Sequence, residues 1–600
     1  MGAISGERPL VAEERDAGAS RSDLLLRRIL LFYPLLLVLC GIGYAKYSSY
    51  QLDGDAVAFM DIADAMRAHN FALVANGYWN PGYAAALAFG QALTHPSRWN
   101  EMQTFFWVNF WIFVGCIAAC IFFVRALVLV RERGVADSAS SPALSSPALQ
   151  LVALALMFWS FQRELTLGAV RSDSLLLLFF LLAAGLLLRI QATGRFVFYP
   201  LLGFALGCAY LTKSFAFVPS ALLFAALVVY GLMHKSASGA FARRRILAGT
   251  LTAGCVFAAL AAPYIVAISK QRGRLTTGES ARMNYAFFVD QTARWHEFHT
   301  GKLGHATADF KHPEQLLLAT PPVYSYARHP LGTYPLWFDP AYWTDTLQPH
   351  LWVKGELERM ARCTALLVRF LVGHLEAFVL IAALLFAGCF FPVPRGLWLP
   401  LLPAALWGLL MLAIYFPVDL QDRYLTGALL MVMIPVLAML RCRGTFTRQT
   451  TAALAVLLAL LAVADAASDI GARRRLLSVT THMRGSYSPQ IYQAAHGLND
   501  LGIGSGATVA CFGDIACYLD HYWARLAETP IRAEIEVPDG SDPGPFWAAQ
   551  RDQPEIIDAL RAQGISAIVG NFAPSAHIPE GWQQLDGSNF YAYPISPAPR

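Results

Sequence analysis

The feature that most constrains this chain is a series of eleven apolar runs, near 29–46, 105–128, 149–165, 174–190, 197–211, 215–233, 246–268, 373–391, 397–416, 424–440 and 450–467. Runs of roughly 17–25 apolar residues cross a bilayer as helices, because a helix satisfies every backbone polar group internally. Two of the runs, 149–165 and 197–211, are short for this. Composition agrees: 56% of the 600 residues are hydrophobic and 14% charged, too little charge to cover a water-exposed surface. The predicted fold is mainly α, a polytopic transmembrane helical bundle of about eleven spans. Helices in the external loops and a small C-terminal extracytoplasmic α/β domain complete it.

Lysine and arginine set the orientation. Arg27 and Arg28, the RER at 131–133, Arg189 with Arg195, the HK and ARRR at 234–245, Arg395, and Arg441 with Arg443 fall on alternate loops. Those loops are expected in the cytoplasm. The loops at 47–104 and 270–372, and everything after about 468, then lie outside a multi-pass plasma (inner) membrane protein. Lys270, Arg272, Arg274 and the ARRR at 472–475 run against the rule, being basic yet predicted external. The first run lacks a small-residue cleavage site and reads as a span, not a signal peptide. Residues 1–24 read as a disordered cytoplasmic N-terminus, 25–470 as the transmembrane domain and 485–600 as the external α/β domain. SASSPALSSPAL at 138–149 reads as a low-complexity linker. The tail reads as a helix at 490–502, strand ATVACFG, a helix at 553–563, strand ISAIVGNF and last strand NFYAYPI.

A net charge of +5 over this length implies no nucleic-acid partner. Most of the ten cysteines sit in spans as small apolar residues. Cys511 and Cys517 alone share an external segment, where an oxidising compartment would allow a disulfide. In the first external loop Phe59, Ile62, Ala63 and Met66 share one helix face. NGYWNPGYAAALAFGQAL then reads as a turn and a helix capped by Asn80, with Pro81 at its first position. That helix is too short to span and is expected at the interface. The loop at 270–372 is rich in aromatics, histidine and proline. Its Trp337, Tyr342 and Trp343 suit packing over a site, or stacking on the rings of a ligand.

The span centres hold almost no ionisable residues, whereas ion-coupled transporters usually carry them near mid-membrane. Here the polar residues gather at the external helix ends: Asp53 and Asp55, RELTLGAVRSDS at 163–174, LTKS at 211–214 and FPVDLQDRYL at 416–425. Each has an ordinary reading. The acids could be solvated, Asp173 could cap a helix, Lys213 could snorkel to headgroups, and Arg423 with Tyr424 could be a belt pair. Four such coincidences on one membrane face favour a single site.

At these residues the chain resembles the GT-C superfamily of polytopic glycosyltransferases, which includes the protein O-mannosyltransferases and the aminoarabinose transferases. GDAVAFMDIA (54–63) is similar to that group's GDExxYxxIA motif, with Asp55 as leading acid and Ala56 where a glutamate often stands. Asp53 is then the candidate for a second carboxylate. VRSDSLLLLFFLLAAGLLLR (170–189), LLGFALGCAYLTKSFAF (201–217) and DLQDRYLTGALLMVMIP (419–435) resemble its later motifs. The resemblance covers about 25–440 and implies a GT-C-like fold and an inverting transfer from a polyprenyl-phosphate-linked sugar donor. The acceptor would be a glycan, lipid or protein, with membrane lipids around the site. Asp55, Asp53 and Asp173 would be catalytic, and Lys213, Arg423, Tyr424 and Arg171 would bind substrate. GRLTTGESARMNYAFFVD and the tail have no counterpart in the group.

Such transfer needs a base for the acceptor hydroxyl and positive charge on the departing phosphate. An aspartate at the membrane surface can be that base. A divalent metal ion shared by Asp53 and Asp55 is the cofactor these residues allow, and two histidines in WHEFH (295–299) also invite a metal. The rival classes are a lipid-linked sugar flippase or other transporter, which should carry polar residues through the membrane, and a scaffold, which would not need clustered acids and cations.

Overall fold

The computed structural model describes residues 21–47, 54–133, 141–233, 239–293, 302–309, 314–388, 395–442, 445–479, 489–513, 516–517, 521–538, 541–573 and 578–595. Asp53 and the WHEFH histidines lie outside the described residues, and with them both metal readings in their sequence form.

The chain is a helical bundle. Among the described residues eight helices are long and apolar enough to cross a membrane: Arg21–Tyr47, Arg98–Arg133, Asp173–Thr193, Ser214–Met233, Arg243–Arg272, Trp398–Tyr415, Asp422–Met439 and Phe446–Arg475. Val353–Gly373 and Leu375–Phe386, bent by 85°, make a ninth if they form one broken span. The difference from the expected eleven falls on three runs. The run at 149–165 is the Ser146–Arg163 helix, whose polar ends shorten its apolar stretch, and 197–211 is a helix of only 15 residues, Phe198–Thr212. The run at 373–391 belongs to the bent pair.

The first and last helices of the bundle run in the same direction. Asp23 pairs with Arg448 at 2.9 Å near their starts, and Arg473 lies over the Tyr44 ring at 5.5 Å near their ends. The tail therefore leaves the bundle at the end from which the first loop emerges. At the opposite end the SSPAL tract has a structural role from Ser141 onward. Ser141–Pro142 pairs with Arg441–Cys442, and Ala143 O accepts a hydrogen bond from Thr451 at 2.6 Å.

At the loop-bearing end the Gly54–Arg67 helix buries Phe59, Ile62 and Ala63, the apolar face read from the sequence. The Pro81–Thr94 helix follows with Pro81 in its first turn, but the Asn80 side chain does not cap it. It donates instead to the Tyr210 carbonyl at 2.7 Å, because the helix start is pressed against another helix end. A Cβ at Gly82 would lie 2.8 Å from the Leu211 backbone, so only glycine allows this approach.

The tail joins a seven-stranded sheet in the order Gln315–Ala319, Pro322–Ser325, Ile531–Ile535, Val509–Phe512, Ala567–Asn571, Phe590–Pro594, Gln583–Gln584. Its centre is parallel and its flanks antiparallel. Two of the strands come from the long loop, and Pro322–Ser325 pairs with Ile531–Ile535. Tyr326 and Tyr334, from the same loop, donate to Glu534 at 2.6 and 2.7 Å. Cys511 and Cys517 form a disulfide.

The tail also grips the first loop. Arg525 is buried, with its guanidinium 2.6 Å from Asp61, 2.9 Å from Asp64 and 2.8 Å from Glu101. Asp61 further accepts from the Thr333 amide at 2.6 Å and its hydroxyl at 3.0 Å. Burial raises the Asp61 carboxyl, and Arg525 and Thr333 only partly offset it. Burial raises Asp64 too, but Arg525 and Arg98 outweigh it and hold that carboxyl low. Of the aspartates that crowd the first loop, these two fasten the helix.

Candidate active site

Asp55 stands in the first turn of the Gly54–Arg67 helix. The preceding glycine is required by close packing, since a Cβ at Gly54 would lie 2.1 Å from the Trp337 ring. Trp337 is held in turn. Its carbonyl accepts from Trp79 Nε1 at 3.0 Å, and Asp339, two residues on, pairs with buried Arg272 at 2.7 Å. Trp337 thus packs beside the acid, the default read from the sequence.

Asp173 opens the Asp173–Thr193 helix, whose N-cap is Ser172. Its carboxylate accepts from Lys213 Nζ at 2.8 Å. Lys213 occupies an extended residue after the Phe198–Thr212 helix, so its side chain leaves the helix axis sideways. Its ammonium also lies 3.9 Å above the Tyr424 ring, a cation–π distance. Its side chain is only 23% exposed, which does not fit a lysine snorkelling to headgroups.

Arg423 lies in the first turn of the Asp422–Met439 helix. One terminal nitrogen is 3.6 Å from Asp55 and the other 3.6 Å from Asp173. Arg171 acts on Asp173 electrostatically. Among these five side chains three cations face two carboxylates, an excess suited to an anion. The aromatic floor is a three-ring stack: Phe215 on Tyr415 at 4.0 Å, and Tyr415 on Tyr424 at 4.5 Å. A small cavity of about 30 Å³ lies among Asp173, Arg423, Tyr424, Leu176, Phe180 and Met411.

The structure brings Asp55, Asp173, Lys213, Arg423, Tyr424 and Arg171 together. Several neighbours escaped the sequence reading. Tyr78 donates to Asn284 at 3.0 Å; burial first, then the Asp55 carboxylate, pushes its hydroxyl up, so it remains a donor. Asn284 lies in GRLTTGESARMNYAFFVD, and Ser280 of that segment bonds Ser214 at 2.8 Å. The segment that could not be mapped thus packs beside Lys213. Asp419 and Gln421, inside FPVDLQDRYL, precede Arg423 at two-residue spacing, and Gln421 is the extended N-cap residue of the helix that Arg423 enters.

Among the described residues, the carboxylates of the site are engaged by cations. The Asp55 carboxylate faces a guanidinium, and Asp173 holds an ammonium. Among the described residues one group of potential ligands comes close enough to share an ion, Cys511, Cys517 and Glu534. There the thiols are spent in the disulfide and Glu534 accepts from two tyrosines.

These residues define a polytopic helical membrane protein with a charged, aromatic-floored site at one end of its bundle. No protein-family model matches the chain, and no curated protein does. Among solved structures it is similar to the Archaeoglobus fulgidus oligosaccharyltransferase tethered to an acceptor peptide, at 11% identity and TM-score 0.42, over 90% of this chain and 69% of that one. It is also similar to ArnT from Cupriavidus metallidurans, apo at 11% identity and bound to undecaprenyl phosphate at 10%. Both have TM-score 0.40 and cover 95% of this chain and 99% of theirs. Likeness of this order transfers no residue role.

Proposed function

We propose that this protein is a GT-C-like membrane glycosyltransferase that moves a sugar from a polyprenyl-phosphate donor to an acceptor hydroxyl at the extracytoplasmic surface. The observation that carries this is the meeting of Lys213 and Arg423 on one carboxylate and one ring. Two cations from distant segments, largely buried at the ends of apolar helices, suit a phosphate attached to a hydrocarbon chain.

The step is a displacement at the anomeric carbon. Asp55 accepts the proton of the acceptor hydroxyl. The acceptor oxygen bonds to the sugar carbon as the carbon–oxygen bond to the phosphate breaks. The released electron pair goes to the lipid phosphate, whose growing negative charge Lys213 and Arg423 receive. A single displacement of this kind inverts the anomeric configuration and forms no covalent enzyme intermediate. Asp173 keeps the two cations apart and oriented while the site is empty of substrate.

Mass spectrometry of lipids and glycans from a deletion strain tests the proposal. Expected are an accumulated polyprenyl-phosphate sugar and one missing glycan modification, both restored by the wild-type gene and not by Asp55→Asn. Unchanged glycans and an unchanged donor pool would overturn it.

A further inference from the structure

Arg423 is held from behind. Its Nε donates to Gln421 Oε1 at 2.8 Å, and Gln421 Nε2 donates to Asp419 Oδ2 at 2.9 Å. The other Asp419 oxygen accepts from Arg359, whose own Nε donates to the Val418 carbonyl at 2.9 Å. Arg359 comes from the Val353–Gly373 helix and lies 4.7 Å over the Phe288 ring. The members are largely buried, with Arg359 13%, Asp419 11% and Arg423 15% exposed.

The chemistry of the chain is directional. A carboxylate only accepts, so Asp419 fixes which end of the Gln421 amide points at it. That leaves the carbonyl oxygen for Arg423 Nε. Were the amide to turn over, its NH₂ would meet the Arg423 N–H, donor against donor. Arg359 neutralises Asp419, so the relay ends in a neutral oxygen and leaves the Arg423 charge undiminished. The guanidinium is thereby fixed along its Nε edge. Its two terminal nitrogens stand 3.6 Å from Asp55 and Asp173, longer than the roughly 2.7–2.9 Å of a tight charge-assisted bond, and a phosphate oxygen can compete for them.

We propose that Gln421, locked by Asp419 and Arg359, is a positioning residue that aims Arg423 at the phosphate of the lipid donor; this rests on the function proposed above. The test uses the full chain in nanodiscs, with undecaprenyl phosphate as probe and undecaprenol, which lacks the phosphate, as control. Binding is read by intrinsic tryptophan fluorescence. Arg423→Ala weakens undecaprenyl phosphate by about tenfold or more, and Gln421→Leu and Asp419→Asn each by about three- to tenfold. None of them changes undecaprenol. In an Arg423→Ala background Gln421→Leu costs nothing further, which a general loss of packing would not produce. Asp419→Asn keeps size and shape and carries the test if Gln421→Leu fails to fold. If Arg423→Ala weakens binding while both relay variants bind normally, or if their losses multiply with that of Arg423→Ala, the relay is overturned and the function stands. If Arg423→Ala binds undecaprenyl phosphate as tightly as wild type, the functional reading falls and the relay with it.

Discussion

Arg525 and Asp61, 464 residues apart in sequence, lie 2.6 Å apart in the fold, and the helix they fasten begins with the acid of the candidate site. Removing a buried guanidinium from three carboxylates leaves uncompensated charge, at a cost of about 3–5 kcal/mol. Arg525→Met is therefore expected to lower the thermal midpoint and to open the tail to protease. Arg525→Lys recovers part of the loss, since the charge returns without the fork. A midpoint equal to wild type in Arg525→Met would mean that the cluster fastens nothing.

Asp55→Asn is expected to abolish transfer while the protein inserts and melts normally, because a carboxamide cannot take the acceptor's proton. The assay is turnover of a polyprenyl-phosphate sugar by purified protein. Near-normal turnover would remove Asp55 as base, and Asp53→Asn, assayed alongside, reads the other acid.

Lys213→Ala is expected to cut donor-dependent rate by about tenfold or more, the size of a lost charge-assisted bond to phosphate. Arg423→Lys keeps the charge but not the planar fork and recovers only part of the Arg423→Ala loss. Steady-state kinetics with varied donor measure both. Unchanged donor kinetics with lower membrane yield would mark Lys213 as a lipid anchor.

The shared direction of the first and last helices sets an expectation for topology. A phosphatase fused after Arg600 is active outside the cytoplasm, and a fluorescent protein there stays dark. Tags before Arg21 report the opposite side. A C-terminal fusion active only inside would contradict the orientation.

Glu279, whose side chain is 1% exposed, pairs with Arg282 and Arg274 at 2.8 and 2.5 Å. Burial alone would raise its carboxyl, but Arg282, Thr276 and Arg274 outweigh it and hold it below the ordinary 4.5. The fold thus favours the charged form. Its contribution is complete above pH 4.5 and is lost as pH falls through the lower folded value. Thermal midpoints against pH should show this acid limb in wild type. Glu279→Gln should be less stable at neutral pH and flatter below it; an identical acid limb would assign it to other groups.

The helices were legible because length and apolarity are local properties, and each of the eleven expected runs is mostly helical where described. The meeting of Asp55, Asp173, Lys213 and Arg423 was legible because each sits at a helix end, and alternate ends share a membrane face. What pairs across the chain was not. QLLLA at 315–319 shows no alternation, and its sheet is completed by residues about two hundred positions and more away. The hold of Arg525 on Asp61 and Asp64 needed a contact that no periodicity announces. The relay behind Arg423 stood in plain view in DLQDR, but its first member, Arg359, arrives from another helix.

Because Pro322–Ser325 pairs with Ile531–Ile535, the strands of the long loop leave the ribosome well before their partners exist. Synthesis runs from the N-terminus, so almost the whole bundle can be inserted while that edge still lacks its neighbour. The aromatic segment over Asp55 shares that loop, and Arg525 arrives only near the end of translation. Docking of the tail onto the two external loops is consequently among the last events of the protein's biogenesis. A chain that stops short of the tail would still carry the aromatic segment over Asp55, but without the partner strand of its loop and without the Arg525 ion pairs that fasten the first-loop helix.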